Sequence, residues 1–243
     1  MNLVVDIGNS KVKMCLFDNG EIIKQGFETV SSIQSILKFC GDYSIEKMII
    51  SDVTNAATEL WSHFKSIIST CIILNDSTKI PLENRYETPQ TLGYDRIAAA
   101  VGAQELFPNQ NCVIIDAGTA ITIDFINQRN QFIGGNISPG LNTRFKSLHN
   151  YTNKLPLLES KETWSMLGNN TRNAIISGVQ QGIVFELDGY IDYFKTQYGT
   201  ISVVLTGGDA ELFTKNIKSQ VTIEPYLIFK GLNRIVDYNA TNK

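Results

Sequence analysis

Two Asp-x-Gly motifs lie at corresponding positions in the two halves of the chain, and both carry groups suited to phosphate chemistry. The first contains Asp6 and Gly8 within VVDIGNSKVK, and the second contains Asp116 and Gly118 within VIIDAGTAITID. In each motif the glycine permits a sharp turn that exposes backbone N–H groups to phosphate oxygens, and the carboxylate can hold a cation directly or through water. One such motif alone more often forms a plain β-hairpin turn. Its recurrence with a hydroxyl group nearby favours a site for a nucleotide phosphate and its cations.

A third carboxylate, Asp95, lies beside Arg96 in TLGYDRIAAAVGA, at the predicted start of a helix. From spacing alone its commoner role is to stabilise the helix N-terminus, by about 0.3–1 kcal/mol. Phosphoryl transfer to an alcohol, however, needs a group that takes the hydroxyl proton as the new bond forms. Because Asp95 lies outside both Asp-x-Gly turns, it is the best placed candidate for that general base.

Two glycine pairs at the ends of predicted strands could also approach a flat or anionic ligand. They are Gly134–Gly135 in FIGGNISPG and Gly207–Gly208 in LTGGDA. Without Cβ atoms the backbone can pass close to a ligand, and a following helix N-terminus favours phosphate. Strand-to-helix turns use glycine freely, so either pair alone is weak evidence. His63 and His149 fit surface or capping positions, and no residue is a convincing hydrolase nucleophile.

The elements that position these groups follow an α/β pattern with an internal repeat. From residue 3 the apolar alternation predicts a meander of three strands, the first of which, LVV, stops at Asp6. The same order of strand, Asp-x-Gly, strand, turn and strand begins again at Val113, so Asp116 corresponds to Asp6 at an offset of 110 residues. The repeat predicts two similar domains, residues 1–112 and 113–243, with their Asp-x-Gly turns facing one another across a cleft.

Three of the predicted helices are prominent in the sequence. The stretch RIAAAVGAQELF has strong helical periodicity and ends before Pro108. The stretch from Thr171 to Gly199 predicts a long helix. The stretch LIFKGLNRIVDY predicts a C-terminal helix that closes the second half of the chain.

Composition limits the possible partners and compartment. With 21 Lys and Arg against 24 Asp and Glu, the formal net charge is -3, and no basic cluster is available for nucleic acid. No apolar run approaches the roughly 18 residues of a membrane helix, and Asp6 interrupts the first run too early for an export signal. We therefore expect a cytoplasmic protein with no membrane partner. Its isolated cysteines have no metal-binding spacing and fit reduced packing positions: Cys15, Cys40, Cys71 and Cys112.

The motifs DIGNSKVK, LGYDR, IDAGTAITID, GGNISPG and TGGD, in that order, resemble the type III pantothenate kinases over nearly the whole chain. That family belongs to the superfamily of acetate and sugar kinases, heat-shock chaperone ATPases and actin. The resemblance implies two duplicated ribonuclease-H-like domains of α/β class with a nucleotide cleft between them. It also implies a homodimer with pantothenate bound close to the subunit interface.

The resemblance assigns roles to individual residues. It implies that Asp95 is the proton acceptor, that Asp6 holds Mg²⁺ through water, and that Asp116 binds a monovalent cation, K⁺ or NH₄⁺. The TGGD turn resembles the superfamily's adenosine-binding element. Ser10 stands where many members of the superfamily have threonine, and Tyr94 is bulkier than the residue often found before the catalytic aspartate. The implied ATP-binding residues are Asp6, Ile7, Gly8, Asn9, Ser10, Lys11, Val12, Lys13 and Thr119. The implied pantothenate-binding residues are Tyr86, Gly93, Tyr94, Asp95, Arg96 and Thr171.

Together these features predict an enzyme that phosphorylates pantothenate with ATP to give 4′-phosphopantothenate, the first step towards coenzyme A. Asp95 would accept the hydroxyl proton, and Arg96 would help to hold the substrate carboxylate. Two alternatives are a non-catalytic ATP-binding regulator or scaffold on the same fold, and a kinase for another small alcohol. An assay with ATP, Mg²⁺ and K⁺ against pantothenate and a panel of sugars would separate all three.

Overall fold

The computed structural model of the chain describes residues 1–8, 11–29, 32–52 and 57–241. The chain divides into two compact units, one formed by Met1–Leu106 with Tyr226–Lys243 and the other by Phe107–Pro225. These units differ from the predicted domains, residues 1–112 and 113–243, because the C-terminal segment joins the first unit. The reason is that its helix packs against elements of the first unit rather than those that precede it in sequence.

Both units combine helices with a mixed sheet. The strands are β1 (Asn2–Ile7), β2 (Val12–Asp18), β3 (Glu21–Glu28), β4 (Lys47–Asp52), β5 (Thr70–Ile73), β6 (Glu83–Asn84), β7 (Cys112–Ala117), β8 (Ala120–Ile126), β9 (Gln131–Pro139), β10 (Ser202–Thr206) and β11 (Thr222–Ile223). The helices are α1 (Ile33–Cys40), α2 (Ala57–Phe64), α3 (Tyr94–Leu106), α4 (Leu141–Asn150), α5 (Thr171–Tyr198), α6 (Ala210–Thr214) and α7 (Leu227–Thr241), with a 3₁₀ turn at Pro89–Thr91.

The first unit contains a sheet with the strand order β3-β2-β1-β4-β5. Strand β1 runs antiparallel to β2 and parallel to β4, and β2 pairs antiparallel with β3, which confirms the predicted meander. The expectation that the first strand stops at Asp6 is wrong, because β1 continues to Ile7. Ile7 is only 2 % exposed, so the additional ladder position buries an apolar side chain.

Strand β1 is covered on both faces, which explains its unbroken apolar run. On one face Leu3 and Val5 join a core cluster with Ile36 of α1 and Leu60 of α2. Val4, which alternation directs to the opposite face, is also fully buried, and α7 packs against β1 and β4. Burial of one such side chain contributes about 1.5–3 kcal/mol. The C-terminal helix is therefore part of the core of the first unit.

The second unit repeats the pairing of the first. Its own strands are ordered β11-β10-β7-β8-β9, with β7 antiparallel to β8 and parallel to β10, as β1 is to β2 and β4. This confirms the repeat predicted from the two Asp-x-Gly motifs. The long helix α5 covers the sheet, and its Ile183, Leu187 and Ile191 pack in one cluster with Val113 and Ile115. Within the described residues, no helix combines the length and apolar character needed to cross a bilayer.

Candidate active site

The first Asp-x-Gly turn joins β1 to β2. The Gly8 N–H donates to the carbonyl oxygen of Lys11 at 3.0 Å and closes the turn. Asp6 lies one residue before the end of β1, opposite Lys13 on β2 and Ser51 on β4. Asp6 thus has a cationic residue on one neighbouring strand and a hydroxyl residue on the other.

The surroundings of Asp6 disfavour the ionised form of its carboxyl. Burial raises the pKa of the Asp6 carboxyl above its ordinary value, and the charge of Asp95 raises it further. The Lys13 ammonium and the adjacent Ser51 hydroxyl lower the pKa, but the net direction is upward. A part-buried carboxylate beside a second carboxylate is a fitting partner for a cation, which would relieve both penalties. The structure therefore places two of the predicted site residues, Asp6 and Asp95, within electrostatic range of one another.

Asp95 lies in the first turn of α3, as predicted, and its side chain is exposed. One carboxylate oxygen, Oδ1, accepts a hydrogen bond from the backbone N–H of Arg96 at 2.8 Å. The carboxylate folds back over Gly93, where a Cβ would overlap Oδ1 and lie 3.6 Å from Cγ. A glycine at position 93 therefore gives the Asp95 carboxylate its room.

The remaining predicted substrate residues of the first unit surround the start of α3. Arg96 is 5 % exposed, and its guanidinium carbon lies 5.5 Å from the centroid of the Tyr86 ring. The Tyr94 hydroxyl donates to Asp76 Oδ1 at 3.2 Å, and burial, followed by Asp76, raises the pKa of Tyr94. The Arg96–Tyr86 contact thus joins Tyr86 to the segment from Gly93 to Arg96.

The other predicted ATP residues of the first unit fall into two kinds. Ile7 and Val12 are paired across β1 and β2 and are buried, so they can offer a ligand only backbone groups. Lys11 and Lys13 are exposed and can offer positive charge to a phosphate. Residues 9–10, which carry the predicted Asn9 and Ser10 contacts, lie outside the described residues.

The second Asp-x-Gly turn joins β7 to β8 in the second unit and is one residue shorter than the first. The Gly118 N–H donates to the Ala120 carbonyl oxygen at 3.1 Å. Asp116 lies opposite Thr122 on β8 and Thr206 on β10. Each aspartate therefore stands near the end of a central strand, with a hydroxyl residue opposite it on the parallel neighbour.

The TGGD turn packs directly on the second Asp-x-Gly turn. Gly207 has a φ of +93°, and a Cβ there would overlap Asp116 Oδ1 and lie 2.6 Å from the Ala117 carbonyl carbon. The Asp209 N–H donates to the Ala117 carbonyl oxygen at 3.0 Å. Burial raises the pKa of Asp209. Only glycine fits at position 207, because both the left-handed backbone and the close approach exclude a side chain.

Thr119 is fixed by its backbone and leaves its side chain exposed. Its carbonyl oxygen accepts hydrogen bonds from the Gly140 N–H at 3.0 Å and from Thr143 Oγ1 at 2.8 Å. A Cβ on Gly140 would lie 2.8 Å from the Thr119 carbonyl carbon, so the end of the GGNISPG motif also packs on this turn. Gly207 thus packs on Asp116, and Gly140 packs on Thr119. Gly134 and Gly135, by contrast, lie inside β9, opposite Phe125 and Asp124, and not at the end of a strand as predicted.

Thr171, the last predicted substrate residue, is the exposed first residue of α5 in the second unit. It follows the capping residue Asn170, whose side chain accepts from the Asn173 N–H at 3.0 Å. Thr171 lines an open groove of about 800 Å³ that also includes Arg144 and Leu148 of α4. The structure therefore places Thr171 at the wall of a groove in the second unit.

Two hydroxyl residues were missed by the sequence analysis. Ser51 and Thr206 are 1 % and 2 % exposed, and they stand opposite Asp6 and Asp116 on parallel strands. The signal was present, because each is a polar residue that closes an apolar strand pattern, as each aspartate does. Their proximity to the aspartates depends on strand order, which a single sequence does not state.

The chain is similar in sequence to known proteins. A sequence model of the family described as type III pantothenate kinase matches residues 2–193. A protein from Bacteroides fragilis named type III pantothenate kinase is 40% identical over 239 residues, which cover 98% of this chain and 98% of the relative.

Solved structures show the same fold. A protein from Campylobacter jejuni described as a Baf family transcriptional activator has a TM-score of 0.65 at 24% identity, over 98% of this chain and 99% of that chain. An activator of 2-hydroxyisocaproyl-CoA dehydratase from Clostridium difficile, with bound ADPNP, has a TM-score of 0.52 at 12% identity, over 99% of this chain and 96% of that chain. Together with sugar-kinase structures, these matches confirm the predicted fold class, that of the actin-like ATPases and sugar kinases.

Proposed function

The chain belongs to the type III pantothenate kinase family, and we propose that Asp95 is the general base of its reaction. In this reaction the enzyme transfers the γ-phosphoryl group of ATP to the primary hydroxyl of pantothenate. The product is 4′-phosphopantothenate, the first intermediate on the route to coenzyme A. The observation that carries this assignment is the exposed Asp95 carboxylate at the start of α3, within electrostatic reach of Asp6.

Asp95 meets the geometric needs of a general base. Its carboxylate is exposed, and the Arg96 N–H holds one oxygen at 2.8 Å, which leaves the other oxygen for a substrate proton. The Arg96 guanidinium, buried against Tyr86, is the cation that binds the pantothenate carboxylate in this proposal. Gly93 keeps the space next to the base open.

The first Asp-x-Gly turn binds the ATP phosphates in this proposal, through the segment from Asp6 to Lys13. Mg²⁺, when bound, neutralises charge on the transferring phosphate. Asp6 fits as its ligand through water, because its charge is otherwise opposed by burial and by Asp95. The exposed ammonium groups of Lys11 and Lys13 add positive charge at the same turn.

The second turn contributes Thr119 to ATP and Asp116 to a monovalent cation, K⁺ or NH₄⁺. The exposed Thr119 side chain on a backbone fixed by Gly140 supports the first assignment. The Asp116 carboxylate, packed against Gly207 with Thr206 on the parallel strand, supports the second. Replacement of K⁺ by Na⁺ is expected to reduce turnover, and unchanged turnover would contradict the Asp116 assignment.

The role of Asp95 is tested by the Asp95→Asn variant. We expect kcat to fall by about 10²–10⁴-fold, because the variant keeps the shape of the site and loses the proton acceptor. The KM for ATP should stay close to the parent value. An Asp95→Asn protein that folds and turns over at the parent rate would rule out the base role.

The alternatives are tested with purified protein, ATP, Mg²⁺ and K⁺ against pantothenate and a panel of sugars. Turnover of pantothenate, but of none of the sugars, supports the proposed reaction. Turnover of a sugar favours a kinase for another small alcohol, and ATP binding without any turnover favours a regulator or scaffold.

We also propose that the protein is a cytoplasmic homodimer with pantothenate close to the subunit interface. The four cysteines are free, which agrees with a reducing compartment. Exposed Thr171 beside a wide groove offers a contact surface on the second unit. Sedimentation equilibrium that gives only the mass of one chain would contradict the dimer.

A further inference from the structure

Two glycines let helices α3 and α7 pack backbone against backbone in the first unit. A Cβ placed on Gly231 of α7 would overlap the Ala98 carbonyl oxygen and would lie 2.9 Å from the Gly102 nitrogen. A Cβ placed on Gly102 of α3 would in turn overlap the Leu227 carbonyl oxygen. Since packed interiors leave no room for such overlaps, a methyl group at either position would push the helices apart. The contact is therefore specific to glycine on both helices.

Helix α7 is also hydrogen-bonded to the strand that carries Asp6. Asn2 Nδ2 on β1 donates to Asn233 Oδ1 at 2.8 Å and to Asp237 Oδ1 at 2.9 Å. Lys47 Nζ on β4 donates to the same Asp237 oxygen at 2.7 Å. Hydrogen bonds to charged groups are about twice as strong as those between neutral groups. The side of α7 that faces the sheet is thus fixed to β1 and β4.

These two sets of contacts make α7 a link between the elements that carry the two carboxylates. Strand β1 carries Asp6 and helix α3 carries Asp95, and α7 touches both. We propose that α7 is a positioning element for the reaction, in which Gly231 and Gly102 set the location of Asp95 relative to Asp6. The inference rests on the proposed role of Asp95 as the base. It concerns a helix outside residues 2–193, the part matched by the family's sequence model.

The expected displacement is large enough to affect the reaction. Ordinary non-bonded contacts lie at about 3.5–4.0 Å, so the 2.9 Å approach of a Gly231 Cβ to Gly102 N requires the helices to move. A misplacement of about 1 Å in an active site can reduce the rate on the order of 100-fold. Because Asp95 and Arg96 belong to α3 and Asp6 belongs to β1, movement of α3 changes the separation of the two carboxylates.

The test compares Gly231→Ala and Gly102→Ala with the parent enzyme in pantothenate phosphorylation. We expect each variant to lower kcat by about tenfold or more and to keep the KM for ATP within about twofold. Measurements are made well below the melting temperature, on protein shown to be folded by circular dichroism. A fall in kcat with an unchanged KM for ATP is not expected from a simple loss of stability.

Two matched variants serve as controls. Gly182→Ala places the same methyl group on α5, where a Cβ meets nothing within 4 Å, and is expected to leave kcat unchanged. Leu60→Ala removes a core side chain of α2 that is 3 % exposed, and should lower the melting temperature without changing kcat per folded molecule. A parent kcat in Gly231→Ala, or an equal loss of kcat in Leu60→Ala, would overturn the inference.

A third variant tests the positioning role of α7 if the two glycine variants do not fold. Asn233→Ala removes one of the two acceptors of Asn2 Nδ2 and loosens α7 from β1 without a steric clash. A fall in kcat of about threefold or more supports the positioning role, and a parent kcat contradicts it.

Failure of this inference can be told apart from failure of the proposed base. Asp95→Asn is assayed in the same series. If it retains the parent rate, the base assignment fails whatever the glycine variants show. If it loses activity while Gly231→Ala keeps the parent kcat, only the positioning role of α7 fails.

Discussion

At the scale of one residue, Asp6 shows how a buried carboxylate suited to binding a cation can lower the stability of the fold. Burial raises the pKa of this carboxyl, and Asp95 adds to the effect. A carboxyl whose pKa is higher in the folded than in the unfolded state binds its proton more tightly when folded. Its contribution to stability is therefore present at low pH and is lost as the pH rises through the folded-state pKa. Once Asp6 is ionised it destabilises the fold, as expected for a charge retained for a cation.

We predict that Asp6→Asn raises the melting temperature at pH 7 to 8 in the absence of nucleotide and Mg²⁺. The amide keeps the shape of the carboxylate and removes the charge that burial and Asp95 oppose. The gain should shrink as the pH falls below the folded-state pKa of Asp6, because the parent carboxyl is then protonated. Differential scanning fluorimetry across pH measures this difference. A gain that is independent of pH, or a loss at neutral pH, would contradict the prediction, and the same variant should lose activity.

Gly207 and Gly208 give a second test at the scale of the residue. Gly207 has a φ of +93° and packs against Asp116, whereas a Cβ on Gly208 meets nothing within 4 Å. Gly207→Ala should lower the free energy of unfolding by at least about 1–2 kcal/mol, and Gly208→Ala should change it by less than about 0.5 kcal/mol. Urea unfolding of both variants measures the difference. Equal effects would show that the TGGD turn does not depend on the left-handed glycine.

At the scale of the element, the edge strand β5 is protected by side chains that bond to its outward carbonyl groups. The Trp61 Nε1–H donates to the Cys71 carbonyl oxygen at 3.1 Å. The Ile73 carbonyl oxygen accepts from Asn75 Nδ2 at 3.1 Å and from Thr78 Oγ1 at 3.3 Å. An unprotected edge can pair with a strand of another molecule. These bonds therefore satisfy the outward carbonyl groups of Cys71 and Ile73 within the chain.

We predict that Trp61→Phe loses about 0.5–1.5 kcal/mol of unfolding free energy and gains a tendency to self-associate. The phenyl ring fills most of the space but cannot donate to Cys71. Trp164→Phe is the matched control, because Trp164 Nε1 donates to Gln181 Oε1 at 3.2 Å, away from any sheet edge. Light scattering near the melting temperature should rise only for Trp61→Phe. Equal scattering from both variants would show that the edge bond has no protective role.

At the scale of the whole molecule, the chain returns to its first unit at the end. Leu227, Leu232, Ile235 and Val236 of α7 are fully buried in the structure, although more than 100 residues separate α7 from α3. Without α7, the face of β1 and β4 that it covers would be exposed to water. The first unit is therefore complete only when α7 has been made.

We predict that residues 107–225 fold alone, because they include a sheet, α5 and their own core cluster. Residues 1–112 should not unfold cooperatively alone, because they lack α7. A chain that joins residues 1–106 to 226–243 through a flexible Gly/Ser linker should regain a cooperative transition. Circular dichroism during thermal unfolding of the three fragments tests this. A cooperative transition in residues 1–112 alone would support the domain boundary predicted from the repeat.

Much of the candidate site could be predicted from the sequence because its signals are local. Asp6, Asp95 and Asp116 each occur within a few residues of the glycine or helix start that defines their setting. The hydroxyl partners Ser51 and Thr206 could not be assigned in this way, because their strands lie next to the aspartate strands only in the sheet. The bounds of β1 were also misjudged, since a polar residue inside a ladder resembles the end of a strand.

The sequence by itself determined the duplicated α/β framework, the two Asp-x-Gly turns and the position of Asp95 at the start of a helix. These features depend on periodicity and on glycine, whose effects act over a few residues. Only the tertiary structure decided that α7 completes the first unit and that Gly231 meets Gly102. Helical periodicity shows that α7 has an apolar face, but many surfaces can bury such a face. The choice among them depends on close packing and on the bonds from Asn2 and Lys47, which join residues far apart in the chain.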